Sequence, residues 1–348
     1  MRRNLVSIGR IIADANFRAG VPDWSIWYNA PMTSLKKIKR TVRRPFEWIG
    51  VGLGLAVLAN LPRRALLGLC DALSAVMYFF DGKGRRRSLA NLRVITGKVV
   101  PDGVVRPVAV YDPSDAEAKI IRRSYRNMAR AVGHAFWTCR KAEARVRESG
   151  EMSERGKRFL SENKPAVTVS GHIGCWEILS QLAFLEGHRM LSVAKDIGTG
   201  GMTRLLMKAR TSIGQEIVHA EGAFRPLMQG LKDGKSLGLL VDQVVDERDG
   251  GVWVTFFGRP IPVSAAPAFF GAKGKAPIVV AWSRPLKDGR YRCEVVATYG
   301  PDAARDIRGM TQQCILDIER IIRRHPSCWV LNYNYFRKRQ ISARCVEN

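Results

Sequence analysis

The amino-acid sequence predicts an α/β protein with a central mixed sheet flanked by helices and, before it, an apolar helical segment that anchors the chain to a membrane. Segments typical of strands and helices alternate over roughly a hundred residues from position 166, and polar residues repeatedly follow the strand ends. Residues 46–61 and 65–80 are apolar and carry one acidic residue each, which predicts the N-terminal helices.

Dense basic runs flank these two apolar stretches, at residues 36–44 and 85–87. Each stretch is shorter than the roughly 20 residues that a membrane-spanning helix needs. We therefore expect a monotopic or shallow hairpin anchor whose basic flanks lie on an anionic membrane face. A single tilted spanning helix and a pair of core helices in a soluble protein are the alternatives. Residues 1–34 lack the apolar run and the cleavage site of a secretory signal.

The composition becomes that of a globular domain from Ser88. The sequence thus divides into a basic amphipathic segment (1–45), membrane-associated apolar helices (46–82), a main domain (83–340) and a tail (341–348). Within the main domain, the spacing of apolar residues predicts one long helix over 116–148. Further predicted elements are strands at 166–170, 190–194, 216–219, 236–241, 278–282 and 290–296, a strand and turn at 251–260, and helices at 154–162, 176–183, 202–213, 223–232, 267–274 and 311–324.

The chain is strongly basic, with 57 Lys and Arg against 31 Asp and Glu and a formal charge of +26. Such a charge predicts attraction to polyanions, which include nucleic acid, an anionic membrane face, a phosphorylated substrate and an acidic carrier protein. The seven cysteines are scattered and form no C-x-x-C pair. This pattern argues against a zinc site and a disulfide framework and favours a reducing compartment.

The predicted strand at 166–170 leads directly into a histidine that lies between two glycines. Gly171 and Gly174 allow a sharp turn, and a helix begins soon after, so that Glu177 falls in its first turn. From there the Glu177 carboxylate is expected to reach a ring nitrogen of His172, fix its tautomer and raise the basicity of the other nitrogen. A purely structural histidine at a strand end has the same spacing, so both interpretations stay open on these residues. Cys175, in the same turn, is interpreted as a small apolar filler rather than a nucleophile.

Several short motifs occur in order between residues 85 and 339. They are N-L-R at 91–93, S-Y-R-N-M at 124–128, G-H-I-G-C-W-E at 171–177, D-Q at 242–243, V-T-F-F-G-R-P at 254–260 and H-P-S-C-W at 325–329. Together they resemble the blocks of the bacterial lipid A biosynthesis acyltransferases, the lauroyl and myristoyl transferases of the lysophospholipid acyltransferase superfamily. The resemblance favours a catalytic His172. The sequence departs from the family at its end, where Tyr333, Tyr335, Phe336 and Arg337 stand in the place of a W-x-H-x-R-W-K block.

The resemblance implies a glycerolipid acyltransferase-like fold and a membrane-bound enzyme on the cytoplasmic face of a bacterial inner membrane. The implied reaction moves a fatty acyl chain from an acyl carrier protein thioester, or alternatively from acyl-coenzyme A, to a hydroxyl of a lipid A precursor. His172 and Glu177 would be the catalytic residues, and no acyl-enzyme is required. We expect neither a metal nor a bound cofactor.

Four further residues are expected to bind substrate. Arg210 and Arg225 match positions where the family has arginines, which implies that they bind anionic groups of the donor or acceptor. A surface salt bridge is the alternative for each of them. Asp242 is expected to hold one of these arginines or the acceptor, and Gln243 follows it in the same block. The expected partners are acyl carrier protein, an anionic glycolipid and a membrane surface, which the basic charge would attract.

Two competing functions rank lower. Acyl transfer to a lysophospholipid, an ornithine lipid or a phosphoinositide mannoside would use the same histidine and acid. The glycerophosphate relatives carry a P-E-G-T-R-like block, whereas A-E-G-A-F-R at 220–225 lacks its Pro and Thr. A basic nucleic-acid-binding protein is the non-enzymatic alternative, but the sequence has no recognisable binding motif and its basic runs flank apolar segments. We therefore expect no nucleic-acid partner.

Overall fold

A computed structural model of the chain describes residues 57–98, 107–194, 207 and 210–336. The predicted basic segment 1–45, the first part of the apolar segment and the tail 341–348 lie outside these residues, as does most of the predicted helix 202–213. The domain boundaries that depend on them stay predictions.

Strands account for the centre of the described protein. They are β1 (Gly150–Met152), β2 (Val167–Ser170), β3 (Met190–Ala194), β4 (Glu216–His219), β5 (Ser236–Leu240), β6 (Gly251–Phe256), β7 (Arg259–Ser264), β8 (Ile278–Pro285) and β9 (Tyr291–Tyr299). Seven of them form one sheet in the order β1-β9-β8-β2-β5-β3-β4, and β6 and β7 form a separate antiparallel pair. β2 lies parallel to β5 and β8, whereas β8 and β9 are antiparallel. The predicted mixed sheet is thus confirmed.

Most of the described helices agree with predicted ones, but α2 was not predicted and one predicted helix is divided in two. In the described residues they are α1 (Arg63–Phe80), α2 (Gly82–Ile95), α3 (Asp115–Trp137), α4 (Ala142–Ser149), α5 (Glu154–Glu162), α6 (Trp176–Leu185), α7 (Phe224–Lys232), α8 (Ala266–Gly274) and α9 (Ile307–Arg324). The predicted single helix over 116–148 is wrong, because α3 ends at Trp137 and Lys141 adopts a left-handed conformation (φ 48°) before α4 begins. Ser114 and Glu117 form a reciprocal capping box that fixes the start of α3.

Hydrophobic core lies on both faces of the sheet. Along β8, Ile278 and Val280 belong to one buried cluster, and Val279 and Ala281 belong to another. Alternate residues of a strand point to opposite faces, so helices cover both sides of the central strands. This explains why residues 278–282 of β8 are all apolar.

The sheet order brings two loop segments together. β2 and β5 are neighbours, and their register pairs Ser170 with Leu240, the last residue of each strand. Residues that follow β2 and residues that follow β5 therefore meet at the same edge of the sheet. His172 and Asp242 each come two residues after a strand end, although 70 positions separate them in the chain.

The N-terminal helices pack against the body along one side. Leu66 and Cys70 of α1 are buried with Trp137 of α3, and Gly133 of α3 lets the two helices approach closely, since an added Cβ there would overlap the Cys70 sulfur. α1 and α2 are bent by 92° relative to each other. Within the described residues, no single helix has the length and apolar composition to cross a membrane, whereas the bent pair of α1 and α2 meets those two criteria jointly.

Candidate active site

The turn after β2 is fixed from two sides. Gly174 has a positive φ of 65°, and a Cβ at this position would overlap the carbonyl oxygen of Ser283 in β8. The backbone N–H of Cys175 donates to Ser283 Oγ at 2.8 Å, and that of Gly174 donates to the carbonyl of Cys328 at 2.8 Å. The turn is therefore held between the sheet and the segment that follows α9, and His172 is fixed with it.

A buried carboxylate orients the imidazole of His172. Asp242 Oδ1 lies 2.7 Å from His172 Nδ1, and Asp242 Oδ2 accepts from the His172 backbone N–H at 2.9 Å. The indole N–H of Trp329 donates to the same Oδ2 at 2.8 Å. Asp242 is completely buried, so these donors satisfy a charge that would otherwise be costly.

Glu177 does not contact His172, and the predicted pairing of these two side chains is wrong. The Glu177 carboxylate accepts from Arg210 Nε at 2.9 Å to each of its oxygens, and from the indole N–H of Trp176 at 3.0 Å. The tight turn at Gly174 sends α6 away from His172, and Asp242 enters from the neighbouring strand instead. Asp242 binds His172 and Trp329 and not one of the two arginines, so that part of its prediction is wrong, whereas a contact with the acceptor stays a prediction.

The electrostatics of the pair define the tautomer. Burial alone would lower the pKa of His172, but the charge of Asp242 and the hydrogen bond to it raise that pKa above its ordinary value. Burial alone would raise the pKa of Asp242, but His172 and the Trp329 indole keep it below its ordinary value. Asp242 is thus an acceptor at neutral pH, and Nδ1 carries the imidazole proton.

The other ring nitrogen of His172 is the basic one. Its Nε2 lies 3.3 Å from the side-chain Nε2 of Gln243, and the side chain of His172 is 23% exposed. The Trp176 ring stands edge-on at 5.0 Å between centroids. Nε2 therefore has an unshared electron pair, a neighbouring amide donor and access from outside, which is the arrangement of a general base.

Trp329 belongs to this site, and the candidate residues chosen from the sequence did not include it. Its ring stacks on Tyr335 at 3.9 Å between centroids and contacts Phe256 and Phe257 at 5.9 and 5.7 Å. Its carbonyl accepts from Ser124 Oγ of α3 at 2.6 Å. The V-T-F-F-G-R-P and H-P-S-C-W motifs thus build one apolar wall behind Asp242. The H-P-S-C-W motif was the sequence signal that could have identified Trp329 as a site residue.

The sequence profile of the bacterial lipid A biosynthesis acyltransferases matches residues 33–338, a range that includes every residue of this site. The chain belongs to this family. The protein is accordingly an acyltransferase, and the family is generally membrane-associated in bacteria. A search of curated proteins finds no significant match to the chain.

In this lipid A acyltransferase, the two arginines predicted to bind anions have different surroundings. Arg210 is 16% exposed and its charge is compensated by the buried Glu177. Arg225 is exposed in the first turn of α7, which follows β4 at the same sheet edge as His172 but two strands beyond β5. The structure therefore brings Arg210 close to the His172 cluster and leaves Arg225 apart from it.

Cys175 lies in the turn between β2 and α6, three residues after His172. It is completely buried, and burial raises the pKa of its thiol to about 12. A thiolate is the reactive form of cysteine, so this side chain is protonated at neutral pH. Its position agrees with the predicted role as an apolar filler.

A double-mutant cycle tests the bond between Trp329 and Asp242. We expect Trp329→Phe and Asp242→Ala to show a coupling free energy of about 1.5–3 kcal/mol in denaturant unfolding, because the indole donates to a buried charge. The matched cycle is Trp253→Phe with Glu247→Ala, in which an indole donates to an exposed carboxylate. That cycle should give less than about 0.5 kcal/mol. Equal coupling energies in the two cycles would contradict the assignment.

Proposed function

We propose that this acyltransferase moves a fatty acyl chain from an acyl carrier protein thioester to a hydroxyl of a lipid A precursor, the 3-hydroxyl of an acyl chain already in place, with His172 as general base. One observation carries the mechanism: Nδ1 of His172 is bonded to buried Asp242 at 2.7 Å, so Nε2 is the unprotonated nitrogen. The family match supports the reaction class.

The proposed reaction is a direct transfer. The acceptor hydroxyl donates its proton to Nε2 of His172 while its oxygen attacks the thioester carbonyl carbon. The resulting tetrahedral intermediate collapses as the carbon–sulfur bond breaks, and the proton on Nε2 passes to the leaving thiolate. An ester and the free thiol of the carrier are the products. Asp242 stays ionised and stabilises the imidazolium that forms between the two steps.

Gln243 has a proposed part in binding the acceptor. Its amide lies 3.3 Å from Nε2 of His172, in the place where the incoming hydroxyl must bind. The hydroxyl therefore displaces this weak contact, and the amide becomes available to donate to an oxygen of the bound substrate. This role agrees with the substrate-binding role expected for Gln243 from the sequence.

Glu177 and Arg210 have a proposed positioning role. The two side chains form a buried ion pair between the first turn of α6 and the segment that carries Arg210. Breaking such a pair leaves an uncompensated buried charge, which costs about 3–5 kcal/mol. Both residues are needed for activity in this proposal, but through the shape and charge of the site and not through a bond to His172.

The proposed partners are acidic. The formal charge of +26 attracts acyl carrier protein, a phosphorylated glycolipid and the anionic cytoplasmic face of the inner membrane, where we propose that the enzyme acts. Arg225 is exposed near the same sheet edge as His172, so an anion-binding role for it stays part of the proposal. The proposal requires neither a metal nor a cofactor.

Substitution of His172 and of Cys175 distinguishes a general base from a thiol nucleophile. His172→Ala should reduce transfer by about 10²–10⁴-fold, because the acceptor hydroxyl loses its base. Cys175→Ala should retain most activity. The measurement is mass spectrometry of the lipids of a deletion strain that expresses each variant, since the missing acyl chain reports both donor length and acceptor.

Circular dichroism and thermal unfolding of the purified variants serve as the folding control. A folded His172→Ala enzyme with near-normal turnover would contradict the proposed base, as would a specific loss of activity in folded Cys175→Ala.

The proposed base also sets the pH dependence of the reaction. Only the neutral imidazole can accept the proton, and Asp242 raises the pKa of His172 above the ordinary 6.5. As the pH falls, kcat/KM should therefore decrease in proportion to a single protonation with an apparent pKa above 6.5. This apparent pKa should be the same when the acceptor lacks phosphates. An apparent pKa at or below 6.5 would contradict the proposal. An apparent pKa that changes when the acceptor phosphates are removed would also contradict it.

A further inference from the structure

The turn between β6 and β7 has an unusual residue at its tip. Phe257 and Gly258 alone join the two strands, and both have positive φ angles, 52° and 73°. Two-residue hairpin turns of this kind favour Asn, Asp or Gly at the first position, because a bulky side chain is disfavoured in the left-handed region. Phe257 therefore costs conformational free energy that those residues would avoid. Strain of this kind, in a residue at the wall of the active site, indicates a functional constraint.

The left-handed turn brings two neighbouring rings to one indole. Consecutive residues of an extended strand point to opposite faces of the sheet. Phe256 and Phe257 nevertheless both contact Trp329, at 5.9 and 5.7 Å between centroids, and their own rings lie 4.4 Å apart. Phe257 is buried. The positive φ thus turns the Phe257 ring back onto the indole whose N–H donates to Asp242.

A carboxylate of α9 holds the backbone of this turn. The N–H of Phe257 donates to Glu319 Oε2 at 2.6 Å, and Oε1 of Glu319 accepts from Arg323 Nε at 2.8 Å. The Arg323 guanidinium lies 5.0 Å from the centre of the Phe257 ring. It also donates to the carbonyl of Ile95, the last residue of α2, at 2.6 Å. The last turns of α9 therefore hold both the backbone and the ring of Phe257.

A second contact between the hairpin and α9 involves no aromatic ring. Gln312 lies about two turns before Glu319 on the same face of α9. Its side chain accepts from the N–H of Thr255 at 2.7 Å and donates to the carbonyl of Thr255 at 2.9 Å. These bonds satisfy the edge of β6 as a further strand would. The Gln312 contact thus secures the hairpin, whereas the Glu319 contact also fixes a ring at the active site.

We infer that Glu319 and Phe257 are positioning residues for the general base. Glu319 holds the backbone of Phe257 in the left-handed conformation. The Phe257 ring then keeps the Trp329 indole in place to donate to Asp242, and Asp242 orients His172. Both residues act through Trp329 and not on the substrate. The inference rests on the proposed function in that His172 is the base.

The indole proton of Trp329 reports this role directly. Tryptophan labelled with ¹⁵N in the full chain gives an indole signal that is assigned through its loss in Trp329→Phe. A proton donated to an ionised carboxylate forms a short, strong hydrogen bond and is deshielded. We expect the Trp329 signal to lie downfield in the unaltered enzyme and to move upfield in Phe257→Gly and in Glu319→Ala. Glu319→Gln keeps an acceptor oxygen for the Phe257 N–H and should restore the signal to near its original position.

Two features of the variants separate positioning from loss of folding. Glycine is favoured in such a turn, so the hairpin of Phe257→Gly can form without the ring, and this variant decides the test should Glu319→Ala not fold. Gln312→Ala is the matched control, because it removes two bonds to the same hairpin and no ring contact. It should lower the denaturant midpoint and leave the indole signal unchanged. An unchanged signal in Phe257→Gly, an equal shift in Gln312→Ala, or a shift in Glu319→Gln as large as that in Glu319→Ala would overturn the inference.

Turnover provides the second measurement. Phe257→Gly and Glu319→Ala should lower kcat about 10–10²-fold, because small misplacements of a base reduce the rate, and leave KM for donor and acceptor within about twofold. Gln312→Ala should retain kcat. A raised KM with an unchanged kcat, or a shifted indole signal with an unchanged kcat, would overturn the positioning role.

The two proposals fail separately. Indole shifts as expected, together with a folded and active His172→Ala enzyme, would reject the proposed base and leave the link from Glu319 to Trp329 intact. Unshifted indole signals, together with an inactive His172→Ala enzyme, would reject the positioning role alone.

Discussion

The burial of the Asp242 carboxylate is the constraint on which the site depends. The side chain is fully buried and accepts from the His172 ring, the His172 backbone and the Trp329 indole. Burying a charge is tolerable only when its hydrogen bonds are satisfied, so each of these donors must stay in place. The Asp242 carboxylate thus links three features of the site: the orientation of the imidazole, the turn after β2 and the position of the apolar wall that contains Trp329.

This linkage extends to distant parts of the chain. Trp329 is held by Ser124 of α3 and stacks on Tyr335, and the Gly174 turn is held by Cys328 and Ser283. Residues from α3, β2, β5, β8 and the segment after α9 therefore converge on one carboxylate. A site built in this way holds Nδ1 rigidly, whereas Nε2 has the Gln243 amide 3.3 Å away as its hydrogen-bonding neighbour among the described residues.

The sequence was sufficient for most of the elements and for the position of His172, because strand ends and glycine turns are local features, but β1 and α2 were not predicted. The alternation after position 166 correctly predicted β2, α6 and β5. The partner of His172 was not predictable in the same way. Glu177 is five residues away in the chain, but the neighbour of β2 in the sheet is β5, and only that order brings Asp242 to Nδ1. The break at Lys141 was missed because apolar spacing continues through it.

The basic residues fall into two groups, those that are paired with acidic residues and those that are not. Many arginines are used inside the protein, as Arg130 is with Asp71 and Arg210 is with Glu177. Lys83 of α2 and Lys119 and Arg122 of α3, by contrast, form no ion pair with an acidic group among the described residues. Net charge alone could not distinguish these two groups, since pairing depends on which helices pack together.

Direct titration of His172 by nuclear magnetic resonance tests the central claim that Asp242 orients the base. Histidine labelled with ¹⁵N in the full chain, with the His172 signals assigned through their loss in His172→Gln, reports the tautomer and the pKa. We expect a proton on Nδ1 and a pKa above 6.5 for His172 in the unaltered enzyme, a lower pKa and a mixed tautomer in Asp242→Asn, and an Nδ1 tautomer retained in Glu177→Gln. Loss of the tautomer in Glu177→Gln with no change in Asp242→Asn would contradict that claim.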